Sequence, residues 1–546
     1  MALNDLTDIR QVGLRQWVFD RSGLWLASGI DSLRPAQEDV LEWAFSRSEP
    51  YLLINAPPGT GKTLLNLVYG LAHGGPLTYA VHTIRLQEQV SRTLLGLPVL
   101  TGRSNHPCLV GHLTHGMDIT ARYGVCTMRQ SCDYRNGAEL PGGAWTKCPY
   151  YAQLDDALYS DVGRVTNYSM YLALPPVKYA SEESGSTGTS VLLADEAHNI
   201  EEVLTSSAEI TLTAGMVRSI GYGWPRNSSS HIAGWRGWAF GIFKRTNATD
   251  SRPSVVDARA AAKALAAIKP EEYDKWVVSF DGSTMRARPL WGRDYTMSNL
   301  LGRERGEVAF DNGRMGAPVM FTSATLMGVD YITESLALPS REWAYLDVDS
   351  PFDPDRRPIN YAPVMSMSRN NSRTPEDRAP MQKAVDTLIS RYVTHGQPWG
   401  IIHSVSNWYR DALLTESRFR GIMVQDAAEH AQRVANNQPS VLVASNLIEG
   451  WDGVDNLCRF IIMPKVPFAD LSDAWTKQRQ AVDARTYTHQ AIVSVVQGAG
   501  RGMRHREDYC DTWILDESWS NLYKRHRDWL PKAFLDAYHH NTPLGD

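Results

Sequence analysis

Six short apolar runs recur along the chain, and each gives way to small or polar residues. "YLLIN" (51–55) leads into "APPGTGKT", "SVLLA" (190–194) into "DEAHN", and "PVMF" (318–321) into "TSATL". "WGIIHS" (399–404), "SVLVAS" (440–445) and "RFIIMP" (459–464) follow the same rule. Runs this short and this rich in Val, Ile and Leu suit strands buried on both faces of a parallel sheet. Helical patterns between them make the chain read as repeated βα units, an α/β fold. In such sheets ligands bind beyond the carboxyl ends of the strands, where the polar residues lie. Two stretches break the pattern: "SEESGSTGTS" (181–190) reads as a flexible loop, and "SMSRNNSRTPEDRAP" (366–380) as an interdomain linker.

Three of the polar stretches carry recognisable chemistry. "APPGTGKT" (56–63) lies between a strand and the apolar helical stretch "LLNLVYGLA". It fits a phosphate-binding loop, with Ala56 in place of the first Gly. Backbone N–H groups around Gly59 and Gly61 would cradle phosphate, Lys62 would neutralise it, and Thr63 would ligate Mg²⁺. "LLADEAHN" (192–199) supplies two adjacent carboxylates. Asp195 would hold Mg²⁺, and Glu196 would orient or deprotonate an attacking water. "VSVVQGAGRGMRHRED" (493–508) places Gln497, Arg501 and Arg504 at spacings of four and three, which predicts one face of one helix. An arginine pair aimed at a γ-phosphate would stabilise transition-state charge.

Composition sets the surroundings of this chemistry. Length 546 allows three or four domains, and 43% hydrophobic against 21% charged residues fits a globular chain with sizeable cores. A net charge of −5 neither requires nor excludes a nucleic-acid partner. No signal peptide or membrane-length apolar run is evident, so an intracellular protein is expected, with no membrane partner. The six cysteines are too few for a secreted disulfide framework. Four of them, Cys108, Cys126, Cys132 and Cys148, are concentrated in one short region, the pattern of a metal site in a reducing compartment. Cys458 and Cys510 flank expected core strands and read as buried small hydrophobes.

Taken in order, "APPGTGKT", "DEAH", "TSAT" (322–325), "EGWDG" (449–453) and "QGAGRGMR" (497–504) resemble the motifs of superfamily 2 helicases. "LRPAQ" (33–37), "HTIRLQEQ" (82–89), "GRSNHPC" (102–108), "CPYY" (148–151), "VTNYSMYL" (165–172) and "SPFD" (350–353) narrow the resemblance to the XPD/DinG family of iron–sulfur DNA helicases. It spans nearly the whole chain from about residue 30.

The resemblance implies two RecA-like motor domains, the first interrupted by an iron–sulfur insertion and a mostly helical arch. The expected boundaries are 1–100, 161–204 and 313–345 for the first motor, 101–160 for the cluster insertion, 205–312 for the arch and 346–546 for the second motor. It implies that Arg34 and Gln37 flank the adenine, that Thr83 and Gln87 contact the DNA strand, and that Ser323 and Thr325 couple hydrolysis to movement. Glu449, Gly450 and Asp452 would lie at the domain interface, with Asp452 on the nucleotide. Trp451 stands where the family carries a smaller residue, and Asp516-Glu517-Ser518 lacks the family's usual Arg.

It also implies that Cys108, Cys126, Cys132 and Cys148 hold a [4Fe–4S] cluster. The same thiolates could instead hold Zn²⁺, joined by His106, or line a metal-free loop. The activity implied is an ATP- and Mg²⁺-dependent DEAH-box DNA helicase, a monomeric motor moving 5′→3′ on single-stranded and forked DNA. The alternatives are a DNA-stimulated translocase that remodels protein–DNA complexes, and an ATP-switched DNA-binding platform. The arch segment "WRGWAFGIFKR" (235–245) mixes aromatics with Arg and Lys. It reads either as a base-stacking surface or as an amphipathic helix with a buried aromatic face.

Overall fold

The computed structural model describes residues 2–544 apart from 112–117, 125, 127–130, 141–142, 174–189, 226–230, 247–251, 293–317, 369, 446–452 and 454. Most of the stretch 181–190 therefore lies outside the described residues, as do Glu449, Gly450, Trp451 and Asp452. Two seven-stranded sheets dominate, each wholly parallel. The first runs, edge to edge, through Trp343–Asp347, Tyr51–Asn55, Val319–Ser323, Val191–Asp195, Leu77–Val81, Gly163–Asn167 and Val99–Leu100. The second runs through Met423–Val424, Ser440–Ala444, Trp399–His403, Phe460–Met463, Asp511–Asp516, Ile359–Met365 and Tyr538–His540. All six apolar runs are strands of these sheets. They are buried along their whole length because helices cover both faces, so the side chains on either face meet a core. This is the two-motor α/β architecture that the motif order implied.

The segment 366–380 is not an interdomain linker. It joins the strand Ile359–Met365 to the helix Pro375–Thr394 inside the second sheet's own domain. Its Thr374, Pro375 and Asp377 form a helix start: Thr374 Oγ1 accepts from Asp377 N, and Thr374 N donates to the Asp377 carboxylate. Polar residues that read as a flexible connection are thus capping residues. The chain passes between the sheets earlier, between the strands ending at Asp347 and beginning at Ile359.

Two further bodies interrupt the first sheet. Between Leu100 and Gly163 the described residues form short turns, a two-stranded hairpin, Ala138–Glu139 with Trp145–Thr146, and the helix Pro149–Leu158, which follows Cys148. After the Asp195 strand, helices Ile232–Arg245 and Pro253–Ala267 pack on an antiparallel three-stranded sheet, Ile210–Thr213, Thr284–Pro289 and Trp276–Phe280. That small sheet was not legible in the sequence. The helix Ile232–Arg245 turns Ile232, Trp235, Ala239 and Ile242 into this core, with Trp235 against Trp224, Trp238 and Phe280. The aromatic stretch is therefore a packing face; its one well-exposed aromatic, Phe240, lies under Lys244 Nζ at 4.6 Å.

This helix-and-sheet body is clasped from both sides. Asp257 on its second helix accepts from Arg122 Nη2 (2.9 Å) and Tyr123 Oη (3.0 Å) of the cysteine-bearing body. On the other side Trp475, in a helix of the second motor (Ala474–Val482), donates Nε1–H to Pro289 O at 2.9 Å. Its ring lies between Arg288 (3.7 Å) and Arg479 (4.6 Å), and Arg479 pairs with Glu201.

Candidate functional site

The sheet register brings the first motor's motifs together. Ser323 pairs with Asn55, the last residue before the phosphate loop, and Thr322 pairs with Asp195. Three polar motifs therefore leave adjacent strands at the same edge. Gly59 and Gly61 both have left-handed backbones, with φ of 83° and 81°. A Cβ on Gly59 would meet the ring of Phe352 at 2.2 Å, and one on Gly61 would meet Gln37 Nε2 at 2.4 Å. No other residue fits either place. The helix Lys62–Ala72 begins at once, so its N-terminus faces the loop.

Arg34 and Gln37 brace this loop. Arg34 Nη1 donates to Gly59 O (2.5 Å), and Gln37 Nε2 donates to Gly61 O (3.1 Å). Lys62 Nζ lies 3.4 Å from Ala56 O and 3.9 Å from Glu196 Oε1, held between loop and carboxylate. Asp195 is nearly buried, and burial with the neighbouring Glu196 charge pushes its carboxyl above the usual range. Lys62 and the Tyr79 hydroxyl act against that rise. Glu196 takes a left-handed backbone (φ 52°), unusual for a residue with a Cβ. The turn lets its N–H donate to Asp195 Oδ1 at 2.9 Å and throws its side chain towards Lys62 and His198.

His198 links the two motors. Gln497 Nε2, on the second motor, lies 2.6 Å from His198 Nε2 and 3.2 Å from Thr325 Oγ1. The amide donates one proton to each, so the His198 ring proton sits on Nδ1 and goes to Ser323 Oγ at 2.7 Å. Burial, with positive charge at His82, Lys62 and Arg501, holds the imidazole down to about 3, hence neutral. Gly500 approaches Pro58 of the phosphate loop to 3.4 Å, measured from an ideal Cβ.

The three residues expected on one helix are not on one. The helix Ala484–Ala499 carries Gln497, Arg501 sits in a 3₁₀ turn (Gly500–Gly502), and Arg504 lies beyond it. Three glycines in five residues, 498, 500 and 502, weaken the α-helix there. Arg501 still bears electrostatically on His198 and His403, inside the cleft between motors. Arg504 has its N–H on Asp508 Oδ2 at 3.3 Å. Gln87, expected on the DNA strand, is instead buried and donates to Leu100 O (3.1 Å), on the inner face of its helix, while Thr83 caps that helix.

The four cysteines converge. Cys126, Cys148 and Cys108 all bear on Cys132, and burial pushes the Cys132 thiol up. An ideal Cβ on Gly124 would meet both Cys108 Sγ (3.1 Å) and Cys126 Sγ (3.6 Å). Arg103 Nη1 donates to Cys126 Sγ at 3.2 Å while its guanidinium lies over Tyr150. Four converging thiols are a donor set that suits a [4Fe–4S] cluster, and tetrahedral Zn²⁺ would take the same ligands. His106 is committed elsewhere, to Thr101 (2.9 Å) and Gln153 (3.1 Å). Cys458 and Cys510 are buried, 3.7 Å apart sulfur to sulfur, with the Cys510 thiol held neutral by burial.

Sequence reasoning passed over His198 as a cross-motor contact, and over Asn66, Tyr79 and Thr322 beside Asp195. Asn66 had a signal, a lone amide inside the apolar "LLNLVYGLA".

Comparisons agree with this geometry. No curated protein matches the chain. An XPD helicase structure is 16% identical with a TM-score of 0.57, covering 93% of this chain and 100% of its own. An apo XPD structure is 14% identical with a TM-score of 0.53, covering 93% and 100%. S. tokodaii Xpd4 is 13% identical with a TM-score of 0.52, covering 90% and 97%. No helix among the described residues is long and apolar enough to cross a membrane. Residues 401–536 match the family model described as a helicase C-terminal domain, and the chain shares the fold of these XPD structures.

Proposed function

We propose that this protein is an ATP-dependent DNA helicase that moves along single-stranded DNA and unwinds forked duplex, 5′→3′ by its resemblance to the family. The observation that carries the reading is the Gln497–His198 contact at 2.6 Å. It joins the second motor to the carboxylate motif of the first, as a motor needs and a one-domain phosphate binder does not.

ATP would lie between the motors, its phosphates on the loop amides and Lys62. Thr63 and Asp195 would hold Mg²⁺, which when bound neutralises charge on the β- and γ-phosphates. Glu196 would take a proton from the attacking water, its reach set by the left-handed turn. Arg501 and Arg504 would bring positive charge to the γ-phosphate as the cleft closes. His198, neutral and bonded to both motors, would transmit closure through Ser323 and Thr325. Cys108, Cys126, Cys132 and Cys148 would hold a [4Fe–4S] cluster, a rigid tie within a body with few apolar residues. Asp452 is proposed on the nucleotide from the resemblance alone.

The test is hydrolysis with and without single-stranded DNA, then unwinding of forked duplexes of both polarities, with Lys62→Ala as control. The expected result is DNA-stimulated hydrolysis and 5′→3′ unwinding, both lost in Lys62→Ala. Stimulated hydrolysis with no unwinding would instead indicate a translocase, and slow hydrolysis indifferent to DNA an ATP-switched platform.

A further inference from the structure

A closed polar ring lies beneath Asp195, between the sheet and the helix Lys62–Ala72. Asn66 Nδ2 lies 3.1 Å from Tyr79 Oη and 2.8 Å from Thr322 Oγ1. Tyr79 Oη lies 2.8 Å from Asp195 Oδ2, and Thr322 Oγ1 lies 3.2 Å from Asp195 Oδ1. Asn66, Tyr79 and Thr322 are fully buried. The register makes the ring possible. Thr322 pairs with Asp195, and Tyr79 pairs with Leu193, two residues before it, so all three side chains share one sheet face.

Counting protons sets the direction of every bond. An amide nitrogen carries two protons and accepts none. Asn66 places one on each hydroxyl oxygen. Each hydroxyl has a single proton of its own, and the acceptor left to it in the ring is a carboxylate oxygen of Asp195. Turning the amide over would put both N–H groups where Asn66 Oδ1 now lacks a partner, leaving two buried donors unmet in place of one acceptor. With the Glu196 N–H, Asp195 thus receives three hydrogen bonds, shared over both oxygens. Three bonds on two oxygens fix the rotation of the carboxylate.

We infer that Asn66, Tyr79 and Thr322 form a positioning ring that holds the Asp195 carboxylate in the orientation that receives Mg²⁺. The inference rests on the proposed reading of Asp195 as the carboxylate that holds that ion. The Thr63 hydroxyl also bears on Tyr79, so one phenol touches both groups proposed to hold the metal. None of the three ring residues is assigned a contact with nucleotide; they act through Asp195. Partners behind a metal ligand typically govern metal affinity by 10–100-fold.

The test uses the full chain with Tyr79→Phe and, separately, Thr322→Val. Each removes one hydroxyl and nearly keeps the shape. Binding of a fluorescent ADP is titrated against free Mg²⁺ and repeated in EDTA, and thermal melting in EDTA monitors the fold. The expected result is an about tenfold rise in half-saturating Mg²⁺ in each variant, with ADP affinity in EDTA unchanged. Variants that melt earlier yet keep the wild-type Mg²⁺ dependence would make the ring a packing device and overturn the inference. A wild-type chain whose ADP binding ignores Mg²⁺ would overturn the motor reading together with it. Should Tyr79→Phe fail to fold, Thr322→Val carries the same comparison.

Discussion

Lowering the pH should destabilise the protein through three histidines in and beside the cleft between motors. Burial holds His198 down to about 3 and His403 and His489 to about 4, against 6.5 for an ordinary imidazole. Each is neutral in the folded chain at pH 5, while its unfolded counterpart is protonated. The folded values are the depressed ones, so this stability is complete well above pH 6.5 and is lost as pH falls towards 4. Three protons taken up on unfolding give a slope of about 4 kcal/mol per pH unit near pH 5. From pH 6.5 to pH 5 the loss is about 5 kcal/mol, comparable with the whole stability of many domains. Asp195, Asp347 and Asp511 work the other way: burial raises them, so the folded chain takes up their protons more readily. A difference measurement removes them. His489 Nε2 donates to Met327 O across the motors at 2.8 Å, and Gln can keep that bond without titrating. Urea unfolding followed by circular dichroism at pH 7.5, 6.5, 5.5 and 5.0, for wild type and His489→Gln, reads the histidine part directly. The variant should lose about a third of the slope, about 1.4 kcal/mol per pH unit. Parallel profiles for the two proteins would refute the argument.

Glu196→Gln should bind ATP and not turn it over, checked by nucleotide binding beside phosphate release; near-wild-type turnover would remove the base assignment. Arg501→Ala and Arg504→Ala should each lower kcat by about 10³ or more with little change in ATP affinity; equal losses would make them nucleotide anchors. Cys132→Ser should bleach a brown protein and reduce its iron from about four per chain. Some hydrolysis should persist while forked-duplex unwinding fails. Trp475→Ala deletes an indole bonded to Pro289 and in contact with two guanidiniums, a loss of about 2 kcal/mol. Limited proteolysis should then cut the arch faster, and an unchanged pattern would show that the clasp contributes nothing.

Much of the architecture was legible because buried parallel strands are continuous apolar runs and their polar ends mark one sheet edge. The P-loop, the adjacent carboxylates and the cysteine grouping were legible because each is local in sequence. What was not legible depends on register or on a neighbour far along the chain. Asn66 meets Thr322 only because two strands and a helix stack, and no spacing in the sequence encodes that. The second-motor arginines were misplaced on one helix because periodicity ignored three glycines. The segment 366–380 was misread because capping residues and linker residues share a composition. Gln87 was misassigned because a motif position does not say which face of its helix it occupies.

The order of strands in the first sheet has a consequence for how the chain is made. Tyr51–Asn55, which launches the phosphate loop, has as neighbours Val319–Ser323 and Trp343–Asp347. The nearer of these is synthesised about 260 residues later. At ~5–20 residues per second, the strand waits tens of seconds on the ribosome for its first partner. Four other strands of that sheet, from Leu77 to Asp195, can pair among themselves much sooner. The nascent chain therefore passes through a stage in which half a sheet is assembled while a largely apolar strand and the unpaired edge of Val191–Asp195 stand open. Open strand edges of this kind favour aggregation, so substitutions that slow the closing strand Val319–Ser323 should lower the yield of protein without altering the finished fold.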